Sequence, residues 1–283
     1  MDQSQNLKVA FITPEMAPLA KTGGLADVTG ALPKYLSRLG QLEVTAWLPL
    51  YREVKKRNLN LKRLASNIKL ELLPAGLQTS FSIFEYQAEN FKVYLIENDF
   101  YFDRDYLYGA PSGDYPDNGH RFAFFCLAAL TGLQLINWKP DIIHAHDWQA
   151  ALTLAYLKHV LPNDSFYQNT RSLFTIHNLA YQGLFPPEVL GQVGLPVYLF
   201  NPEDMEFYGQ VNYLKAGLLY SDAISTVSPT YSQEIQTPEF GFGLDGVLRK
   251  RRHRLFGILN GIDYQEWNPE TDPALPAHYS RQA

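Results

Sequence analysis

Residues 141–160, DIIHAHDWQAALTLAYLKHV, contain a short apolar run that ends in polar residues and passes directly into a helical pattern. The run Asp141–His146 has two adjacent isoleucines, which favour a buried β-strand. In Gln149–Val160 the apolar side chains recur at a spacing near 3.6, which predicts a helix. A strand followed at once by a helix is the repeating unit of a parallel α/β sheet.

The same unit recurs along the chain. Apolar runs predict strands at Lys8–Thr13, Leu42–Leu48, Phe91–Glu97, Asp141–His146, Ser172–His177, Ala223–Val227 and Leu255–Leu259. Helical spacing occurs at Leu25–Leu39, Arg121–Asn137, Gln149–Val160, Val211–Tyr220 and Leu244–Arg251. This alternation predicts an α/β fold with a mostly parallel sheet and helices on both faces. We also expect an antiparallel hairpin over Leu61–Glu85, a long surface loop over Asp99–Gly119, and a proline-interrupted linker after Trp267.

Composition excludes several classes of protein. The 283 residues are 46% apolar and 19% charged, which is typical of a globular chain, and the net charge of −5 disfavours a broad nucleic-acid-binding face. The single cysteine, Cys126, excludes an internal disulfide framework and a cysteine-based zinc site. The sequence contains no run of 18 apolar residues, so we expect no membrane span. Residues 1–6 lack a targeting pattern, so we expect a cytoplasmic location, or the plastid stroma in a plant-type system.

Polar clusters follow five of the predicted strands. In an open parallel sheet, ligands bind in the crevice beyond the carboxyl ends of the strands. Any one cluster could simply mark the end of a strand, but five of them, two with histidines, favour a binding or catalytic crevice. The clusters are Thr13-Pro14-Glu15, His144–Trp148, His177-Asn178, Ser228-Pro229-Thr230 and Asn260–Asp263.

A pair of glycines, Gly23 and Gly24, opens the first predicted helix directly after Lys21 and Thr22. Glycines allow close approach of a phosphate to the backbone, and the helix start offers free N–H groups and a positive dipole end. Lys21 adds a positive charge. A simple turn before the helix is the competing interpretation.

Histidines end two of the predicted strands. His144 and His146 are two residues apart and therefore share a face of their strand, but no clear third ligand follows, so metal binding is the weaker alternative. Asp147 can accept from a sugar hydroxyl, and it can equally cap the helix that follows. His177 can contact a substrate or merely satisfy buried backbone groups.

Three other patterns have simpler explanations. Gly241–Gly246 fits the dinucleotide fingerprint GxGxxG, but a predicted helix and turn precede it where a strand is required. The basic run Arg249–Arg254 is typical of a solvated helix end. Cys126 lies among apolar residues and is expected in the core.

These motifs, in this order over about residues 7–272, resemble the bacterial and plastid-type glycogen and starch synthases, which use ADP-glucose to extend an α-1,4-glucan. The segments that carry the resemblance are Lys21–Val28, His144–Trp148, Phe174–Gly183, Leu214–Gly217, Val227–Tyr231 and Leu259–Asp263 with Trp267. The resemblance implies a GT-B glycosyltransferase with two Rossmann-like domains, retention of configuration, and no metal or other cofactor. Residues 1–268 would form the N-terminal, acceptor-side domain and residues 269–283 an interdomain linker or truncated end, with the C-terminal nucleotide-binding domain absent.

The resemblance also assigns roles to individual residues. His177 and Asp147 would be catalytic, contacting the transferred glucose and forming its subsite. The implied substrate-binding residues are Lys21, Gly23, Gly24 and Asp27 near the donor phosphates, Asn178 and Asn260 at sugar hydroxyls, and Tyr115 on the acceptor side.

We therefore expect half of a glucosyltransferase, inactive or nearly so when isolated, with ADP-glucose and glycogen or starch as its partners. A non-catalytic glucan-binding or regulatory module is the alternative. A nicotinamide-dependent oxidoreductase has only Gly241–Gly246 in its favour.

Overall fold

Strands and helices alternate along the chain in a computed structural model that describes residues 6–70, 80–264 and 267–280. The strands are β1 (Leu7–Ile12), β2 (Leu42–Pro49), β3 (Lys62–Lys69), β4 (Ser80–Gln87), β5 (Lys92–Glu97), β6 (Gly109–Ala110), β7 (Gly113–Asp114), β8 (Ile142–His146), β9 (Arg171–Ile176), β10 (Leu184–Phe185), β11 (Glu206–Phe207), β12 (Gln210–Asn212), β13 (Ala223–Thr226) and β14 (Leu255–Gly257). The α-helices are α1 (Gly24–Arg38), α2 (Arg52–Lys55), α3 (Asp99–Phe102), α4 (Asn118–Leu135), α5 (Asp147–His159), α6 (Val189–Gln192), α7 (Tyr213–Tyr220), α8 (Pro229–Glu234) and α9 (Asp245–Lys250).

The main sheet has the strand order β14-β13-β9-β8-β1-β2-β5-β4-β3. All neighbours from β14 to β5 are parallel, and β3, β4 and β5 pair antiparallel. The predicted mostly parallel α/β sheet is confirmed, and so is the antiparallel hairpin within Leu61–Glu85. Residues 71–79, between these two strands, lie outside the described residues.

The strand order places helices on the two faces of the sheet. From β1 the chain crosses to β2 through α1, whereas the crossovers through α4, α5 and α7 run in the opposite direction. Because parallel crossovers are right-handed, opposite directions put the helices on opposite faces. The strand order therefore reverses between β1 and β8, and a crevice opens there beyond the carboxyl ends of the strands.

Helix α4 lies in the centre of the hydrophobic core. Its residues from Phe122 to Leu130 are all at most 1% exposed, which explains an apolar composition on every side of the helix. Cys126 is among them, and burial raises the pKa of its thiol to about 12, so the thiol is an unreactive core group.

Two predicted elements were wrong in part. The segment Asp99–Gly119 is not a structureless surface loop: it contains α3, the β6–β7 hairpin and the start of α4, and it buries Tyr101 and Phe102. The helix predicted from Val211 begins at Tyr213, because the Asn212 side chain caps the helix and the preceding residues pair as β12. No helix within the described ranges is long and apolar enough to cross a membrane.

Candidate active site

A cleft of about 550 Å³ lies at the strand ends where the strand order reverses. Segments that follow β1, β8, β9, β13 and β14 all contribute to it. Its lining includes Glu15, Thr22, Gly23, Gly24, Leu25, Tyr108, Asp114, Asp147, Trp148, Gln149, His177, Asn178, Tyr181, Val227 and Asn260. Four of the five polar clusters predicted from the sequence thus meet at one edge of the sheet, whereas the end of β13 contributes Val227 and not the cluster Ser228-Pro229-Thr230.

The glycine loop is held in place by a buried carboxylate, that of Glu15. Its two oxygens accept from the backbone and side chain of Thr22 at 2.5 and 2.6 Å and from the Gly23 backbone at 3.3 Å. The Tyr108 hydroxyl donates to the same carboxylate at 2.6 Å. Four donors converging on one carboxylate fix the entry to α1.

Gly23 and Gly24 leave open space in front of α1. A Cβ atom added at either position would meet no atom of the chain within 4 Å, and neither residue has a positive φ. Neither packing nor backbone conformation in the described chain therefore requires glycine here. Both glycines would, however, allow a ligand to approach the backbone closely.

Asp147 holds the loop after β9. It has a φ of 55°, in the left-handed region, and its Oδ1 atom accepts the backbone N–H of His177 at 2.8 Å. Burial raises the pKa of this carboxyl group to about 7, although the backbone N–H groups of His177 and Asn178 oppose the rise. Strain and a displaced pKa at one residue are features that concentrate at functional sites.

Three imidazole rings lie beneath the cleft. The Nδ1 atom of His146 is 3.0 Å from Nε2 of His177, and His144 Nε2 is 2.6 Å from the Thr175 hydroxyl. Burial lowers the pKa of His177 to about 4 and of His144 to about 3, and it lowers the pKa of His146 well below its ordinary value. All three rings are therefore neutral near pH 7.

Six of the nine site residues predicted from the sequence line this cleft: Gly23, Gly24, Asp147, His177, Asn178 and Asn260. Lys21 and Asp27 instead pair with each other at 2.5 Å and line a neighbouring cavity of about 530 Å³. Tyr115 is not among the residues that line the cleft. Its ring packs against the guanidinium groups of Arg104 and Arg121, 4.7 and 5.0 Å from the ring centroid, although its neighbour Asp114 does face the cleft.

Sequence reasoning missed the supporting residues. Glu15 was noticed only as part of a strand end, and the link between Tyr108 and Glu15 spans 93 positions, which no local pattern reveals. The contact of His146 with His177 did have a signal in the sequence. His177 lies two residues beyond Thr175, the residue that pairs with His146, and residues two apart on a strand share a face. Among the described residues, no group of three or more His, Cys, Asp and Glu side chains is arranged to hold a metal ion.

Comparison with known proteins identifies the family. Residues 8–250 match the family described as the starch synthase catalytic domain. The chain belongs to that family. The chain is 48% identical over 274 residues to the glycogen synthase of Syntrophotalea carbinolica, covering 97% of this chain and 56% of that protein. It is 44% identical over 279 residues to the glycogen synthase of Thermotoga maritima, with 96% and 56% covered.

A solved structure resembles the chain along nearly its whole length. The catalytic domain of starch synthase IV from Arabidopsis thaliana, bound to ADP and acarbose, has a TM-score of 0.84 and 36% identity, with 97% of this chain and 56% of that one covered. The resemblance stated from the motifs and the Rossmann-like fold are confirmed. The chain spans about half the length of the relatives it matches.

The GxGxxG pattern of this chain does not lie in a dinucleotide-binding position. Gly241–Gly246 follows helix α8 and a turn, and the segment leads into α9. The fingerprint requires a strand directly before it, so its context does not support a nicotinamide-dependent enzyme.

Proposed function

We propose that this chain forms the acceptor-side half of a glycogen or starch synthase of the GT-B type. The enzyme would transfer glucose from ADP-glucose to the non-reducing end of an α-1,4-glucan with retention of configuration. One observation carries the proposal: the open glycine start of α1 and the His177–Asp147 pair face the same cleft. A nucleotide-sugar donor needs this combination of a phosphate cradle and a polar sugar subsite.

The donor phosphates would lie against Gly23 and Gly24, at the N–H groups and positive dipole end of α1. Lys21 would join them by leaving Asp27. Their side chains are 43% and 30% exposed, and an ion pair in such a position contributes only about 0.2–1 kcal/mol, so a diphosphate can replace Asp27 as the partner. Asp27 would then hold Lys21 near the loop in the absence of donor.

The transferred glucose would contact His177, Asn178 and Asn260. His177 is neutral, and it would serve as a hydrogen-bond partner for a sugar hydroxyl rather than as a cation. Asp147 would orient the His177 loop and sit beside the sugar as oxocarbenium character develops. Tyr115, next to the cleft-lining Asp114, would lie on the acceptor side.

Residues 1–268 would act with a second, nucleotide-binding domain across the cleft, and residues 269–283 would belong to the connection between the two. The relatives, about twice as long, support this division. A cytoplasmic or stromal location stays a prediction.

The test measures transfer of labelled glucose from ADP-glucose to glycogen by the 283-residue chain, beside the full-length S. carbinolica glycogen synthase. We expect incorporation by the full-length relative and none by the chain alone. Calorimetric titration of the chain with ADP and with acarbose should show weak binding of both. Acarbose binding without any ADP binding would favour the glucan-binding module instead, and transfer by the isolated chain would show that one domain suffices.

A further inference from the structure

Five polar side chains lie on one face of the sheet, at the carboxyl ends of three adjacent strands. His144 and His146 are two residues apart on β8 and share a face of that strand. Thr175 on β9 and His177 just beyond its end are likewise two residues apart and share a face. Thr175 pairs with His146 on one side and with Ser225 of β13 on the other. Residues that pair across parallel strands share a face, so the five side chains form one cluster under the cleft.

The cluster divides into two hydrogen-bonded groups. The Thr175 hydroxyl lies 2.6 Å from His144 Nε2 and 2.6 Å from the Ser225 hydroxyl. Separately, His146 Nδ1 lies 3.0 Å from His177 Nε2. The rings of His144 and His146 touch, with centroids 4.0 Å apart, but no hydrogen bond joins them within the described residues.

A hydrogen bond between two imidazole nitrogens requires a proton on one of them and a lone pair on the other. His146 is fully buried and its ring stacks on Phe11 with centroids 5.3 Å apart, which disfavours a charged ring. Burial also lowers the pKa of both His146 and His177, in agreement with two neutral rings. Only two proton arrangements then remain.

The second nitrogen of His146 distinguishes the two arrangements. His146 Nε2 is enclosed and has no hydrogen-bond partner among the described residues. If His177 donated to His146, Nε2 of His146 would carry an enclosed, unpaired N–H. If His146 donates from Nδ1, Nε2 carries only an unpaired lone pair. Enclosed N–H groups without a partner are the rarer of the two in folded proteins.

We propose that His146 is a positioning residue, which donates from Nδ1 to Nε2 of His177 and thereby fixes His177 as the tautomer that carries its proton on Nδ1. His177 lines the cleft, and its Nδ1 atom has no partner in the described chain and is not among the enclosed polar atoms. His177 therefore presents an N–H donor to the cleft. The consequence for substrate rests on the proposed function: this N–H donates to an oxygen of the transferred sugar, and the ring does not act as a base.

The first experiment uses the ligand-free 283-residue chain with ¹⁵N-labelled histidine at pH 7. Long-range ¹H–¹⁵N spectra separate protonated from bare ring nitrogens, and a His177→Asn variant assigns the His177 signals among the seven histidines. We expect His177 to be protonated at Nδ1 and His146 at Nδ1 as well. A His177 ring protonated at Nε2 overturns the proposal, and this measurement needs no change at His146.

Variants of the partner ring form the second experiment. His146→Leu removes the donor, so His177 should shift toward the Nε2-protonated form that imidazole prefers in water. His146→Asn should restore the Nδ1-protonated form, because its amide can turn an N–H toward His177. His144→Leu is the matched control, since it deletes a buried imidazole from the same strand without touching the His177 hydrogen bond. An unchanged His177 in His146→Leu, or a changed one in His144→Leu, overturns the assignment of His146.

Acarbose binding to the same proteins, measured by titration calorimetry, separates this proposal from the proposed function. Loss of one neutral hydrogen bond predicts about five- to tenfold weaker binding in His146→Leu and less than about threefold in His146→Asn. If the wild-type chain binds neither acarbose nor ADP while its tautomers are as expected, the proposed function fails and the role of His146 stands. Equal weakening in His146→Leu and His144→Leu, with His177 unchanged in both, overturns the positioning role.

Discussion

Asp147 combines a buried carboxyl group with a left-handed backbone, and replacing it tests the two properties separately. Asp147→Asn keeps a residue that tolerates positive φ and an oxygen that can accept the His177 N–H, but it removes the buried charge. At pH 8, above the pKa of about 7, we expect the free energy of unfolding to stay equal or rise by about 1 kcal/mol. Urea unfolding monitored by circular dichroism measures it.

The matched variant is Asp147→Ala, which leaves the His177 N–H unpaired and places alanine at positive φ. Together these changes should lower the free energy of unfolding by about 2–4 kcal/mol. If Asp147→Asn proves as unstable as Asp147→Ala, the charge itself stabilises the fold, and the burial argument for its raised pKa is wrong.

At the scale of elements, Glu15 connects the end of β1 to the start of α1. Its carboxylate accepts from two backbone N–H groups on one oxygen and from two hydroxyls on the other. In Glu15→Gln the amide oxygen can keep the backbone donors and the NH₂ group can donate to the hydroxyls, but the charge that strengthens all four hydrogen bonds is lost. We expect the free energy of unfolding to fall by about 2 kcal/mol, and ADP binding to weaken because the glycine loop loses its anchor. Tyr108→Phe removes a single donor and should cost about 1 kcal/mol. A loss in Glu15→Gln no larger than in Tyr108→Phe would contradict this account.

Two glycines of α1 allow a matched comparison within one helix. A Cβ atom at Gly24 meets open space, whereas one at Gly30 would lie 2.4 Å from the backbone oxygen of Ala17. Gly24→Ala should leave the melting temperature unchanged or slightly higher, since alanine favours the helix by up to about 1 kcal/mol. Gly30→Ala should lower the stability by about 1–3 kcal/mol, because backbone must move.

Ligand binding should respond in the opposite way. The methyl group of Gly24→Ala projects into the space assigned to the donor phosphates and should weaken ADP binding about tenfold, a loss of about 1.4 kcal/mol. Gly30→Ala, once folded, should bind ADP nearly as the wild type does. Calorimetric titration measures both variants. Undiminished ADP binding in Gly24→Ala would contradict the placement of phosphates at this helix.

Elements with a local hydrophobic period were predicted well, and those shaped by distant contacts were not. Helix α1 lies within one residue of its predicted bounds, and the strand ends that carry His146 and His177 were located. The burial of Tyr101 and Phe102, by contrast, depends on packing against α4. The segment Asp99–Gly119 has no periodic pattern from which that burial could be predicted. Lys21 was expected at the glycine loop, but its pairing with Asp27 depends on side-chain directions that spacing does not specify.

At the scale of the whole molecule, buried histidines and a buried carboxyl group oppose each other in the response to pH. The pKa of His177, about 4 in the fold, is below its ordinary value of 6.5, so the unfolded chain binds more protons between these values. Stability from His144, His146 and His177 is thus present above pH 6.5 and lost on acidification. Asp147 acts in the opposite sense between about pH 4 and pH 7, because its raised pKa favours proton binding in the fold.

Three buried histidines outweigh one carboxyl group, so we expect the free energy of unfolding to fall as the pH is lowered from 6.5 to 4. His177 alone accounts for about 3 kcal/mol of this loss, since its pKa is displaced from 6.5 to about 4 and each unit is about 1.4 kcal/mol. Urea unfolding at pH 4, 5, 6 and 7 measures the slope. The asparagine of His177→Asn binds no proton in either state, so the free energy of unfolding should change less steeply with pH, by up to about 1.4 kcal/mol per pH unit. A chain whose stability holds or rises toward pH 4 would mean that Asp147 dominates, or that the histidines beneath the cleft accept protons without unfolding.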